Sequence, residues 1–165
     1  MNVVLCGMMG VGKTSVGKKL EFLSKRKCVD TDEIIEEKYG KITDIFEQKG
    51  EPYFRDLETE VAKMLGKKDN LIVSTGGGLV MRSENVAYLK ENGKIFFLRA
   101  KIETLLERVA GNNARPLLKD GAEKKLKELI PVRTPVYEGV ADHIIDTDGR
   151  TVADIAAEIL LYMGE

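Results

Sequence analysis

Gly7-Met8-Met9-Gly10-Val11-Gly12-Lys13-Thr14 is the stretch on which the reading of this chain turns. It satisfies GxxxxGK[ST] at each fixed position. An apolar run, Val3-Val4-Leu5-Cys6, precedes it, and Val16, Leu20 and Leu23 follow at helical spacing. The order is therefore strand, phosphate-binding loop, helix. Glycines let the backbone wrap closely around phosphate, successive N–H groups point inward, and the helix N-terminus adds partial positive charge. Lys13 is the candidate contact to the β/γ-phosphates of a nucleotide, and the Thr14 hydroxyl is a candidate Mg²⁺ ligand. Gly10, Val11, Gly12 and Ser15 complete the expected nucleotide cradle. A glycine-rich turn with a chance lysine is the competing reading, and the complete spacing between strand and helix argues against it.

Working outward, Lys27-Cys28-Val29, Leu71-Ile72-Val73-Ser74 and Ile95-Phe96-Phe97-Leu98 read as further strands, with Ile144-Ile145 a weaker fifth. Helical patterns lie between them, including Ile102, Leu105, Leu106 and Val109, and at the end Val152, Ile155, Ala156, Ile159, Leu160 and Met163. Alternation of this kind predicts an α/β domain whose parallel sheet is covered by helices on both faces, with ligands at the carboxyl ends of the strands. The polar stretch from Gly111 to Gly121 has no clear period and reads as a mobile loop over that edge.

Bulk properties narrow the class further. At 165 residues, 43% hydrophobic and 32% charged, the chain has the makeup of one soluble globular domain. Twenty-six basic against 27 acidic residues give a net charge of −1, so no global field favours nucleic acid or an anionic membrane. No apolar run approaches the roughly 20 residues of a spanning helix, and Met1 to Gly7 carries no secretory pattern. Cys6 and Cys28 lack CxxC spacing, as expected for reduced, buried thiols. The expected location is cytoplasmic, and the absence of heptads points to a monomer.

A phosphate loop alone does not choose between a kinase, a GTPase and an ATP-driven machine. The guanine-specifying Asn-Lys-x-Asp has no counterpart, because Gly66-Lys67-Lys68-Asp69 has the wrong first residue. Candidates for an acceptor site come later in the chain. Asp30 and Asp32 stand at the end of the second strand, where one carboxylate can face metal and the other substrate, although either can equally cap the helix that follows. Arg55 precedes Glu58 by three residues, close enough to pair on one helix face. Thr75-Gly76-Gly77-Gly78 directly follows a strand and suggests backbone approached by a ligand rather than a plain turn. Arg115 and Arg133 are candidates for the migrating phosphoryl group and an acceptor carboxylate, since a planar guanidinium suits both.

Taken together and in this order, GMMGVGKT, DTD, EPYFRDLE, TGGG, RPLL and RTPVY resemble the shikimate kinase family over nearly the whole chain. The resemblance implies a three-layer α/β/α P-loop fold of the nucleoside monophosphate kinase group, with a five-stranded parallel sheet. It also implies a substrate-binding segment near 33–65 and a lid near 111–121. The implied reaction is transfer of the ATP γ-phosphoryl group to the 3-hydroxyl of shikimate, with Mg²⁺, in aromatic amino-acid biosynthesis.

By the same resemblance Asp32 contacts the shikimate hydroxyls and favours deprotonation of the attacking one, while Arg55, Arg133 and Gly76 to Gly78 bind carboxylate and ring. Asp30 acts on Mg²⁺ through water, Arg115 closes from the lid onto the phosphates, and Glu58 holds Arg55. Arg108 packs on adenine, and Arg150, after Ile144-Ile145-Asp146-Thr147-Asp148-Gly149, is placed on the adenine side. Another small-molecule kinase of this architecture, such as a gluconate kinase, would share the phosphate loop but not the acceptor motifs. A nucleotide-dependent regulatory module would require a degraded acceptor pocket, yet Asp32, Arg55 and Arg133 are all present.

Overall fold

The computed structural model describes residues 1–110 and 118–165. Five strands, β1 (Asn2–Cys6), β2 (Lys27–Asp30), β3 (Leu71–Ser74), β4 (Gly93–Arg99) and β5 (His143–Asp146), form one sheet in the order β2-β3-β1-β4-β5. Every neighbouring pair is parallel. The central place of β1 follows from its sequence: Val3, Val4, Leu5 and Cys6 are wholly buried, as a parallel strand covered on both faces requires. The edge strands β2 and β5 are less buried, and that is why Ile144-Ile145 gives so weak a signal in the sequence.

The helices are α1 (Lys13–Leu23), α2 (Thr31–Tyr39), α3 (Ile42–Lys49), α4 (Glu51–Gly66), α5 (Ser83–Lys90), α6 (Ile102–Ala110), α7 (Leu118–Val140) and α8 (Val152–Tyr162). From β1 the chain crosses to β2 in one direction through α1, and every later crossover moves in the other direction. Because such connections are right-handed, α1 lies on one face, and α4, α5 and the α6–α7 pair lie on the other. Helix α8 packs on α1 and completes the first face. All five strands end at one edge, and Gly7, Thr31, Thr75, Ala100 and Thr147 lead away from it.

One expectation is revised. The stretch read as loop from 111 to 121 falls outside the described residues as far as 117, together with Arg115, but α7 already begins at Leu118. A segment that opens Leu118-Lys119-Asp120-Gly121 carries no apolar stripe and includes a glycine, so its sequence gives no helical signal. Helix α7 also runs on through Arg133-Thr134-Pro135-Val136-Tyr137, with Pro131 and Pro135 inside it. Proline ordinarily breaks a helix. Here burial of Leu126 and Tyr137, both fully inaccessible, favours keeping the helix intact.

Candidate active site

The phosphate loop is set by its glycines. Gly12, at φ 107°, adopts a left-handed conformation that a side chain resists, and it hands the chain to α1. The first bond of that helix is from Val16 N–H to the Gly12 carbonyl at 2.9 Å. The N–H groups of Lys13, Thr14 and Ser15 therefore have no partner within the helix and point beyond its end, as an anion site needs. Lys13 folds back across the loop, its Nζ 2.5 Å from the Gly7 carbonyl and 3.2 Å from that of Met8. Burial lowers its ammonium to about 8, against the opposing pull of Cys6, Asp32 and Asp30. Cys6, beneath the loop, is pushed up to about 12 by burial, so its thiol is inert at neutral pH.

Asp30, Thr31 and Asp32 have three separate tasks. Strand β2 ends at Asp30, whose Oδ1 accepts from the N–H groups of Asp32 at 2.8 Å and Glu33 at 3.1 Å and so caps α2. Thr31 is wholly buried, and its hydroxyl accepts from Gly76 N–H at 2.9 Å. Asp32 lies in the first turn of α2, so helix geometry, not strand alternation as the sequence suggested, separates it from Asp30. Burial raises the Asp32 carboxyl, Asp30 beside it adds to the rise, and Lys13 opposes it.

The glycines after β3 explain themselves by what lies against them. A methyl group on Gly76 would stand 2.6 Å from Asp32 Oδ1, and one on Gly77 would stand 2.6 Å from Arg133 Nη1. One on Gly78 would collide with the Arg55 guanidinium. Three consecutive positions thus seat three functional side chains drawn from α2, α7 and α4. Arg55 is held in turn by Glu58, whose Oε1 accepts from Nη1 at 2.7 Å. Glu58 is only 1% exposed; burial raises its carboxyl, and the guanidinium of Arg55 opposes that rise. Pro52 in the first turn of α4 sets up the helix that carries both residues.

Tyr137, one turn beyond Arg133 on α7, donates to the Gly77 carbonyl at 2.5 Å. The sequence places it in RTPVY but assigns it no task. Burial pushes its hydroxyl up to about 12, so it stays a neutral donor.

Asp32, Gly76, Gly77 and Arg133 face one cavity of about 630 Å³ that runs from Gly77 and Arg133, past Asp32, Lys13 and Thr14, to Arg108 and Arg150. At its far end the walls are Val152 and Ile155 of α8, which in the sequence are indistinguishable from the rest of an apolar helix face. Arg108 sits on the loop itself: its Nη1 donates to the carbonyls of Val11 at 2.7 Å and Gly10 at 3.2 Å. Arg150 Nη1 bonds Glu158 Oε2 at 2.5 Å and the Asp146 carbonyl at 3.2 Å. Most of the expected residues therefore converge on one cavity; Arg55 and Gly78, which lie against each other, are not among its walls, and Arg115 is not among the described residues.

A geometry that sets a complete phosphate loop beside Asp32 and two arginines seated on glycine is matched among known proteins. The family model of shikimate kinase covers residues 9–163. This chain belongs to the shikimate kinase family. The shikimate kinase of Persephonella marina is 47% identical over 161 residues, spanning 96% of each chain. That of Thermodesulfovibrio yellowstonii is 44% identical, over 96% of this chain and 92% of its own. A solved structure of shikimate kinase from Acinetobacter baumannii in complex with shikimate superposes with a TM-score of 0.87 at 38% identity, covering 98% of this chain and 92% of that one. The sheet order and helical layers are thus those of the shikimate kinase fold, and the chain is an enzyme with shikimate kinase activity. Use of ATP goes with the family. Among the described residues no helix is long and apolar enough to cross a membrane.

Proposed function

We propose that the enzyme transfers the γ-phosphoryl group of ATP in line to the 3-hydroxyl of shikimate, with the roles divided along the cavity. The bond between the γ-phosphorus and the oxygen bridging to ADP breaks, a bond to the shikimate 3-oxygen forms, and the hydroxyl proton passes to Asp32. The observation that carries this reading is the glycine triplet, which seats Asp32 and Arg133 in the cavity of the phosphate loop and Arg55 against the next glycine. Two guanidinium groups suit the carboxylate of shikimate, and Asp32 beside them suits its hydroxyls.

Negative charge in a phosphoryl-transfer transition state spreads over the phosphoryl oxygens, so cations and N–H donors matter more than a strong base. Lys13, the N–H groups of residues 13–15 and, from beyond the described residues, Arg115 supply that charge. Asp32 orients the hydroxyl and takes its proton late, and its raised pKa suits the task. Mg²⁺ needs hard oxygen ligands. The Thr14 hydroxyl and the Asp30 carboxylate both line the cavity, and the capping bonds of Asp30 use only Oδ1. When bound, the ion neutralises charge on the phosphates; Thr14 would hold it directly and Asp30 through water.

Helices α2 to α4 would serve as the substrate-binding segment and residues 111–121 as the lid, closing to keep water from the phosphoryl group. Arg108 and Arg150 would flank the adenine. We place the enzyme in the cytoplasm as a monomer, at the phosphorylation step leading to chorismate.

Coupled ADP release tests the reading, with ATP and Mg²⁺ against shikimate, gluconate, AMP and no acceptor. Turnover with shikimate alone is the expected result. ATP binding without turnover on any acceptor would overturn it.

A further inference from the structure

The acceptor cavity depends on a bare turn, Thr75-Gly76-Gly77-Gly78, which has no side chains of its own to fix it beyond Thr75. Thr75 secures only its start: its hydroxyl donates to the Leu5 carbonyl at 2.8 Å, and its N–H donates to the same carbonyl at 3.1 Å. Three glycines in a row have more conformational freedom than any other tripeptide. Yet this turn must hold position to within tenths of an ångström, because Asp32, Arg133 and Arg55 all lie against it. The Gly76 and Gly78 carbonyls accept from the Leu79 N–H at 3.1 Å and the Met81 N–H at 3.2 Å, which leaves the Gly76 N–H and the Gly77 carbonyl to be held from elsewhere.

Two hydroxyls meet them from opposite sides. Thr31, wholly buried on α2, accepts the Gly76 N–H at 2.9 Å. Tyr137, wholly buried on α7, donates to the Gly77 carbonyl at 2.5 Å. The Tyr137 ring is itself fixed, tilted against Phe97 with centroids 5.0 Å apart and its hydroxyl 3.8 Å from Met8 Sδ in the phosphate loop. A peptide unit is planar and trans, so a carbonyl held toward Tyr137 turns the next N–H, that of Gly78, the opposite way. Among the described residues neither the Gly77 nor the Gly78 N–H has a hydrogen-bond partner. The Gly78 N–H remains available to an acceptor anion only while the Gly77 carbonyl stays where Tyr137 holds it; the Gly77 N–H shares its plane with the Gly76 carbonyl, which accepts the Leu79 N–H at 3.1 Å.

We propose that Thr31 and Tyr137 are positioning residues that brace the glycine turn, Tyr137 setting the acceptor-binding Gly78 N–H and Thr31 keeping the Gly76 N–H away from the Asp32 carboxylate. The second task follows from proximity. Asp32 Oδ1 lies close over Gly76, and an unpartnered N–H there would compete for the carboxylate that has to accept the substrate proton. The two hydroxyls therefore control different kinetic constants. This inference rests on the acceptor reading given above.

The test compares Tyr137→Phe, Thr31→Val, Thr31→Ser, Phe97→Leu and Arg133→Ala in the full chain, with separate KM values for shikimate and ATP, kcat, and thermal midpoints. Tyr137→Phe keeps the ring and loses only the donor; KM for shikimate should rise about tenfold with KM for ATP unchanged. Thr31→Val should lower kcat about tenfold with little change in either KM, and Thr31→Ser should restore it. Phe97→Leu loosens the same packing without touching either bond, so it should lower the thermal midpoint and leave KM for shikimate alone. If Tyr137→Phe and Phe97→Leu behave alike, or if Thr31→Ser fails to restore kcat, the brace is wrong. An unchanged KM in Tyr137→Phe beside a large rise in Arg133→Ala overturns the brace but leaves the acceptor reading standing. No rise in Arg133→Ala either would overturn both.

Discussion

The two ends of the cavity are built differently. At the acceptor end Asp32 and Arg133 rest directly on glycines, and Arg55, against Gly78 next to them, has in Glu58 a buried partner 2.7 Å away. At the base end Arg108 and Arg150 are engaged in holding the protein together, one on the carbonyls of the phosphate loop and the other between the end of β5 and α8. An acceptor group bound by preset side chains loses little freedom on binding, and removing one such side chain removes a fully expressed interaction. A nucleotide reaching Arg108 or Arg150 would meet groups whose donors are already partly satisfied. Energy for binding and catalysis should therefore concentrate at the phosphate loop and the acceptor end, and mutational effects should fall away toward the base.

The largest effect belongs to the junction of the two ends. Lys13→Ala removes the one loop ammonium placed for the phosphates and should lower kcat/KM for ATP about a thousandfold. The unmutated lysine makes a subtler prediction. In the free enzyme it is lowered to about 8, and it carries charge only below that value. As pH rises through about 8, kcat/KM for ATP should fall, because that ratio reports the free enzyme. Bound phosphate stabilises the ammonium, so the basic limb of kcat should lie at higher pH. Coincident limbs in the two profiles would show that phosphate does not contact Lys13.

Asp32→Asn is next, with kcat lowered more than about tenfold while ATP still binds. The sign of its pH dependence is fixed by burial, which raises the carboxyl together with Asp30. Asp32 accepts a proton only when ionised, so kcat/KM should fall as pH drops through this raised value, and the Asn variant should lose that acid limb. Near-normal turnover in Asp32→Asn would remove Asp32 from the role of proton acceptor.

Arg55→Ala separates binding from stability. KM for shikimate should rise about tenfold with kcat little changed. Glu58 is then left buried without its cation, at a cost of about 3 kcal/mol. Its carboxyl, already raised by burial, rises further when Arg55 is gone, so the folded variant holds a proton that the unfolded chain releases. Its stability should accordingly fall as pH increases from the ordinary carboxylate range through the raised value. Arg55→Ala/Glu58→Gln should recover the thermal midpoint and lose this pH dependence, yet leave KM for shikimate high. Recovery of KM in the double variant would mean that Arg55 acts on Glu58 rather than on substrate.

The difference between the two ends also governs what could be read in advance. The phosphate loop was legible because its chemistry needs fixed residue types at fixed spacing within ten positions or so, and the alternation of strands and helices gave the sheet. Gly76 to Gly78 could be read as backbone approached by something, but not by what: the side chains above them come from positions 32, 55 and 133. That assembly is tertiary, and only the resemblance to a family supplied it. Thr31 and Tyr137 stood inside quoted motifs with no task attached, since a buried hydroxyl bonded to a distant peptide leaves no local pattern. Val152 and Ile155 face the cavity from a helix whose apolar spacing is satisfied equally well by core packing.

The smallest effect should come from Arg150, and it is the sharpest check on the comparison. Its guanidinium bonds Glu158 and the carbonyls of Asp146 and Asp154, and side chains on both sides of the ion pair are about one-third exposed, at 32% and 29%. An ion pair so accessible contributes little stability, and its donors are mostly spoken for. Arg150→Ala should raise KM for ATP about two- to threefold through loosening of the loop after β5, with kcat and KM for shikimate unchanged. Glu158→Gln would loosen the same loop without removing a cation from the cavity, and it should reproduce most of that change. If Arg150→Ala instead costs tenfold or more while Glu158→Gln does nothing, the arginine turns from its protein partners to the nucleotide on binding, and the base end is as much a binding surface as the acceptor end.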